Sequence, residues 1–317
     1  MLNLHSPLIW LSCLWCVAAG AQERYAFTRP QMGTAFRVIL YAGSDSLAQT
    51  AAGAAFDTLE ALNARLSDYD AQSELSRLSE LDSGAVVKVS RPLWEVVQQG
   101  QSLSVLSQGA FDLTIGPLSK LWRRAFRQQQ FPDFKQIEEA RMRVGYESIQ
   151  VLPGLRLQVL RSGVKLDAGG IAKGFAVDAM TEVLLSHGIQ SSLVDGGGDI
   201  RVTSPPPDAP GWAIQVQQTD SLGQFQSVTL HLAHRAIATS GDHYRYLSWE
   251  GQRYSHIIDP RTGLGVQHGA QVTVLCSDCA TADALASAIS VMGPDADWGG
   301  LLQAYPDCEG WVVWKLE

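Results

Sequence analysis

The apolar and polar positions lay out helices and strands without a regular β-α-β rhythm. Residues 28–41 read TRPQMGTAFRVILY, in which Met32-Gly33-Thr34 forms a turn and the residues after it alternate as in a half-buried strand. In residues 46–66, Leu47, Ala51, Ala55, Leu59, Leu62 and Leu66 recur three or four apart, the period of a helix. A polar loop follows at 67–72, and Ser73 is placed to cap a short helix. A second long helix spans 92–107, and Gln108-Gly109 stops it. Residues 131–148 read as a linker and a helix, and residues 150–166 as a hairpin. A strand at 191–200 ends in glycines, 212–218 and 226–232 form a strand pair, and 238–246 read as a hydroxyl-bearing turn. A strand at 272–275 and a helix at 280–292 complete the series. This irregular mixture predicts an α+β fold.

Residues 166–178, LDAGGIAKGFAVD, stand out from that pattern. The apolar run 164–166 reads as a strand with Asp167 at its end. Two glycines, Lys173 and a third glycine follow, then helical spacing at Phe175, Val177, Met180, Val183 and Leu184. A strand, a Gly-rich turn and a helix N-terminus offer free backbone N–H groups to anionic oxygen. Asp167 adds an acceptor and Lys173 a cation, so the stretch reads as a seat for a phosphate-bearing cofactor. Its spacing is neither GxGxxG nor a P-loop, and many Gly-rich turns are only tight connections.

Other residues carry candidate chemistry, each beside a plainer reading. Tyr69 in the polar loop stacks on a planar ligand or covers core. Asp112, between apolar neighbours in GAFDLTIGPL, is a paired buried acid or a ligand contact. In YSHIIDPRTG, His256 and Asp259 bracket Ile257 and Ile258, and a His near a carboxylate is the usual arrangement for a general base. Asp283 and Ser287 lie four apart on one helix face; they are hard oxygen ligands suited to Mg²⁺, or else an exposed acid and a helix Ser.

The chain has 317 residues, 46% of them hydrophobic, enough for a sizeable core. A formal charge of −8 argues against an electrostatic nucleic-acid or anionic-membrane partner, so an anionic ligand needs local help. Residues 8–19 are apolar and are followed by Ala19-Gly20-Ala21, which predicts a secretory signal over residues 1–21 and an exported domain over 22–317. The segment is too short to span a membrane. It lacks Lys and Arg before its apolar run, and Trp10 and Trp15 disfavour a lipobox before Cys13 or Cys16. Cys276, Cys279 and Cys308 remain, an odd set that reads as structural thiols or one disulfide rather than a catalytic or zinc site.

Together these stretches resemble the ApbE family, the FAD:protein FMN transferases. The matching segments are MGT at Met32, SDYDAQSELSRL at Ser67, GAFDLTIGPL at Gly109 and LDAGGIAKGFAVD at Leu166. VDGGGDI at Val194, ATSG at Ala238, SHIIDPRTG at Ser255 and ADALASA at Ala282 continue them in order along nearly the whole mature chain. The resemblance implies an α+β body with FAD in a cleft between sub-lobes. It also implies Mg²⁺-dependent transfer of FMN from FAD to a Thr or Ser hydroxyl of a target flavoprotein, leaving a phosphoester and releasing AMP. By motif position, Met32, Tyr69, Ala110, Phe111, Asp112, Asp167, Lys173 and Ile258 would line the FAD site. Asp283, Ser287 and the carbonyl of Gly170 would hold Mg²⁺, and His256, oriented by Asp259, would be the base. The implied setting is the periplasm. The implied acceptors are flavoprotein domains of Rnf-type or sodium-pumping NADH:quinone reductase complexes, with membrane contact only peripheral or through the acceptor. Two positions depart from the motifs: Ser287 stands where Thr is usual, and Asp195 where NxGGD has Asn. The competing activities are FAD hydrolysis to FMN and AMP, and flavin binding without catalysis.

Overall fold

A computed structural model of the chain describes residues 22–219, 225–241 and 246–314. The signal segment expected at 1–21 and part of the turn expected at 238–246 lie outside the described residues.

Strands β1 (Glu23–Gln31) and β2 (Thr34–Ala42) form a hairpin around Met32-Gly33. Both turn residues have positive φ, 49° and 75°, the backbone that a right-twisted two-residue hairpin requires. Helix α1 (Asp45–Leu66) starts at Ser44, whose hydroxyl accepts from Leu47 N. Helix α2 (Glu74–Leu78) starts at Ser73 in the same way. After β3 (Val86–Lys88), α3 (Arg91–Leu106) is capped by Ser90, and Gln108 and Gly109 end its run with φ of 52° and 77°. The Arg- and Gln-rich stretch forms α4 (Gly116–Gln128), and α5 (Phe134–Arg141) follows. Next come β4 (Ile149–Leu152), β5 (Arg156–Val159) and α6 (Ala172–Ser186). The sheet strands β6 (Ser192–Gly196) and β7 (Ile200–Val202) precede the hairpin of β8 (Trp212–Thr219) and β9 (Phe225–Leu232). Then come β10 (Arg235–Gly241), β11 (Tyr246–Trp249), β12 (Gln252–Ser255) and β13 (Ala270–Cys276). Helices α7 (Cys279–Met292) and α8 (Trp298–Gln303) and strand β14 (Glu309–Trp314) end the described chain.

Two expectations change. Residues 164–166 are not a strand: only Lys165 pairs, in an isolated parallel bridge with Ile115. Their neighbour is the irregular loop before α4, where Gly116 N donates to Lys165 O and Asp167 N to Leu113 O, so no ladder can extend. Residues 238–241 are strand rather than turn, because β13 pairs with them residue for residue, from Ala238 with Val274 to Gly241 with Gln271.

The central sheet runs β1-β2-β6-β7-β10-β13-β14, with every neighbouring pair antiparallel. The alternation in β2 decides its two faces. Phe36, Val38, Leu40 and Ala42 enter the main core with α1, α3, α6 and α7, while Ile39 turns to the other face. There the β8–β9 hairpin covers the sheet with Trp212, Ile214, Val216 and Leu232. A satellite cluster joins α4 and α5 to β11–β12 through Leu118, Trp122, Ile137, Leu247, Tyr254 and Ile258. The fold is thus α+β, with a main body and a smaller lobe. A disulfide joins Cys276, at the end of β13, to Cys308 just before β14, and Cys279 is a buried free thiol.

Candidate functional site

The site is built where the N-termini of α6 and α7 meet. Gly174 makes that meeting possible, since a Cβ there would lie 2.3 Å from the carbonyl oxygen of Cys279. Asp178, one turn further along α6, accepts from the backbone N–H groups of Cys279 at 2.9 Å and Ala280 at 2.8 Å. These bonds satisfy α7's first amides and set its register. Asp283 consequently faces the first turn of α6, where its Oδ2 accepts from Gly174 N at 3.1 Å and Lys173 Nζ at 3.4 Å. One turn later Ser287 reaches the glycine turn. A Cβ on Gly170 would sit 3.2 Å from Ser287 Oγ and 3.1 Å from the Phe111 ring.

Lys173 also pairs with the buried carboxylate of Asp199. Burial opposes its charge, but the carboxylates of Asp283 and Asp199 overcome this and hold the ammonium protonated. Burial, and then the charge of Asp283, push the Asp199 carboxyl up to about 7 against the pull of Lys173. One ammonium is thus shared by two carboxyl groups. Lys173, the cation expected at the turn, is therefore engaged by these acids.

Across the turn, Asp167 is buried with both oxygens used. Oδ1 accepts from Gly169 N at 2.8 Å, and Oδ2 from Arg123 Nη2 at 2.8 Å. The other arm of Arg123 holds Asp68, and its guanidinium lies 4.2 Å from the centre of the Tyr69 ring. Tyr69 is 77% exposed, so it covers no core. Phe111 stands against Gly170, while Ala110 packs with Val266, Val291 and Ile257 and so joins this loop to α7 and the His256 loop. Met32 is half-buried at the β1–β2 turn. Thr34 beside it would lie 2.3 Å from a Cβ on Gly197, so that turn abuts the glycine loop carrying Asp199.

His256 is half-buried just past β12. Its loop is held by Ser255 N to Val266 O at 3.0 Å and Val266 N to Ile257 O at 2.9 Å, and buried Ile258 bridges Gly265.

Residues 32–309 match the model of the ApbE family. The chain belongs to the ApbE family. An FAD:protein FMN transferase of Vibrio cholerae is 34% identical over 280 residues, 86% of this chain and 83% of the relative. One of Haemophilus influenzae is 30% identical over 309 residues, 93% of this chain and 89% of the relative. The crystal structure of the flavinyl transferase ApbE of Pseudomonas stutzeri, in its apo form, superposes with a TM-score of 0.82 at 30% identity, covering 94% and 93% of the two chains. The flavin transferase ApbE of Vibrio cholerae gives 0.83 at 31% identity, covering 93% and 95%.

Measured against the ApbE motifs, three carboxylates turn to their own loops. Asp112, expected as a cofactor contact or a paired acid, accepts through Oδ1 from Thr114 N and Oγ1, each at 2.7 Å, and burial pushes its carboxyl up. Asp259, expected to orient His256, takes a fork from Arg261, whose Nε and Nη2 donate at 2.9 and 3.0 Å, and it shapes the DPRTG turn. Asp195 accepts from Gly197 N and Gly198 N at 2.9 and 2.8 Å, closing the glycine loop where the motif has Asn. Among the described residues no group of three or more His, Cys, Asp or Glu side chains is arranged around a metal position. The oxygens gathered at the α6–α7 junction are the carboxylate of Asp283 and the hydroxyl of Ser287 beside the Gly170 backbone. Arg123 escaped the sequence reading. Its only signal is helical phase: it follows buried Ser119 by four residues, at the margin of the apolar stripe of α4, whereas Arg124 faces solvent.

Proposed function

We propose that this ApbE-family chain is an exported, Mg²⁺-dependent enzyme that transfers FMN from FAD to a Thr or Ser hydroxyl of a target flavoprotein and releases AMP. The observation that carries the reading is the convergence of Gly170, Asp283 and Ser287 on one turn, beside Asp167 and Tyr69, in a chain matched over 32–309 by its family.

The open face of Tyr69 offers a stacking surface for the isoalloxazine ring, and Phe111 and Ala110 give an apolar wall beside the glycine turn. The donor chemistry at the α6–α7 junction fits Mg²⁺: a carboxylate, a hydroxyl and a carbonyl are hard oxygens, gathered by Asp283, Ser287 and Gly170. Asp283, Ser287 and the Gly170 carbonyl would hold the ion, which would neutralise charge on the pyrophosphate oxygens when bound. His256 takes the proton of the acceptor hydroxyl as that oxygen attacks the FMN phosphorus, and the bond to the AMP oxygen breaks with its electron pair leaving on AMP. Asp259 and Arg261 support this by fixing the loop that presents His256.

Residues 1–21 favour export to the periplasm, and the Cys276–Cys308 disulfide agrees with an oxidising compartment. Acceptors of the Rnf-type or sodium-pumping NADH:quinone reductase kind fit that location. The test incubates the mature chain with FAD, Mg²⁺ and a Thr-containing apo-flavoprotein domain. A fluorescent acceptor band that survives denaturation, with AMP in equal amount, supports transfer. Free FMN with AMP means hydrolysis instead, and intact FAD means binding alone.

A further inference from the structure

Three segments distant in sequence meet at one guanidinium. Arg123 lies 55 residues from Asp68 and 44 from Asp167, and both carboxylates accept from it. Its plane also lies over the ring of Tyr69, 4.2 Å from the centroid. The acids need this cation, because burial and then the charge of Asp167 both push the Asp68 carboxyl up, and Arg123 opposes them. Two nearby acids with nothing between them would separate. The helix that carries Arg123 is itself fixed: the adjacent Trp122 is 1% exposed, and its Nε1 donates to Gly263 O at 2.8 Å.

We propose that Arg123 is a positioning residue that sets both walls of the flavin seat in advance, holding Tyr69 by its ring and Asp167 by its carboxylate. The inference rests on the reading of the site as an FAD site. Tyr69 is 77% exposed, and a side chain so exposed would otherwise have to be ordered at the moment of binding. One face of its ring rests on Arg123 while the ring stays open to solvent, so the stacking surface is preorganised and the ordering cost is met during folding. Lysine cannot substitute. A single ammonium neither forks between two carboxylates nor offers a flat face to a ring.

The experiment measures FAD affinity of the whole mature chain by flavin fluorescence for the wild type, R123K, R123Q, Y69L and the R123K/Y69L double variant, with thermal melts as a control for folding. R123K and R123Q are each expected to weaken FAD binding about tenfold. Y69L is expected to cost about tenfold in the wild-type background but less than about twofold beside R123K, since the ring is then no longer pre-set. A merely structural Arg123 would lower the melting temperature and leave the cost of Y69L the same in both backgrounds. That additivity, or R123K binding FAD within about twofold of wild type, overturns the proposal. R123K keeps the charge between the two acids and carries the comparison if R123Q does not fold. Absence of FAD binding by the wild type would instead overturn the transferase reading, and this inference with it.

Discussion

His256 sits beside a residue pair, Ser255 and Ile257, whose backbone is tied to Val266, so its imidazole is presented from a short closed loop. Its proposed work is on the acceptor hydroxyl and not on FAD. His256→Ala is therefore expected to lower transfer by about 10²–10⁴-fold while leaving FAD affinity unchanged, as measured by acceptor flavinylation and flavin fluorescence. Transfer at the wild-type rate would remove the residue from the mechanism. Asp283 differs in that it touches the first turn of α6 directly. Asp283→Ala should shift the Mg²⁺ titration to higher concentration and slow turnover together, and an unchanged titration would count against it as a ligand. Such residues stand out in the sequence because each is a polar group at a conspicuous place, such as a turn mouth or one face of an apolar helix. The local bonds of Asp112 and Asp259 were not legible, because sequence cannot weigh the capture of a carboxylate by an N–H or an Arg two residues on against a distant partner. Arg123 was missed for the opposite reason, since everything it does spans segments far apart in the chain.

Among the elements, the α6–α7 junction bears the most consequence for the site. Gly174→Ala would press a methyl into the backbone at Cys279, where a Cβ would approach the carbonyl oxygen to 2.3 Å and Ala280 Cα to 2.9 Å. Moving α7 aside should cost about 1–3 kcal/mol in denaturant unfolding and weaken Mg²⁺ dependence at the same time. A variant of wild-type stability would mean the helices tolerate more separation than the register suggests. Asp178 gives the junction a pH response. Burial raises its carboxyl from the usual 3.8 to about 6, despite the two amides and Arg201 that favour its charge. The folded state thus binds that proton more tightly than the unfolded chain. The stability this group contributes is full below about pH 4 and is lost as pH rises through about 6. Asp178→Asn does not titrate, so the melting temperature of wild type relative to this variant should fall between about pH 4 and pH 7.5. A constant difference would remove Asp178 as the titrating group. Helices α1, α2 and α3 were legible because Ser73 and the apolar spacing announce them. The stretches 164–166 and 238–241 were not, because what their backbones pair with is decided by neighbours far along the chain.

At the scale of the whole molecule, the order of strands in the sheet could not be read from the sequence. The apolar alternation marks where a strand is, and nothing in residues 34–42 states that 192–196 will lie beside them. The α+β class was legible in the mixture of elements, whereas the sub-lobes came only from what the family resemblance implies. The disulfide was one of two alternatives, and the sheet decides it by bringing the end of β13 beside the start of β14. Its closed loop spans 32 residues, so replacing Cys276 and Cys308 by Ser should cost about 3–4 kcal/mol on the loop-entropy account. Denaturant unfolding with and without a thiol reductant checks this, and a wild-type midpoint indifferent to reductant would show that the bond does not contribute.

The pairing of β2 with β6 also has a meaning in time. A chain made from its N-terminus holds β2 without that neighbour until residue 196 emerges, and Gly170 without Ser287 until α7 does. At ribosomal speeds the first delay alone lasts roughly ten to thirty seconds, during which no part of the central sheet beyond its first hairpin can close. A chain that cannot finish folding while it is being made remains available, for that interval, to a chaperone or a translocation pore.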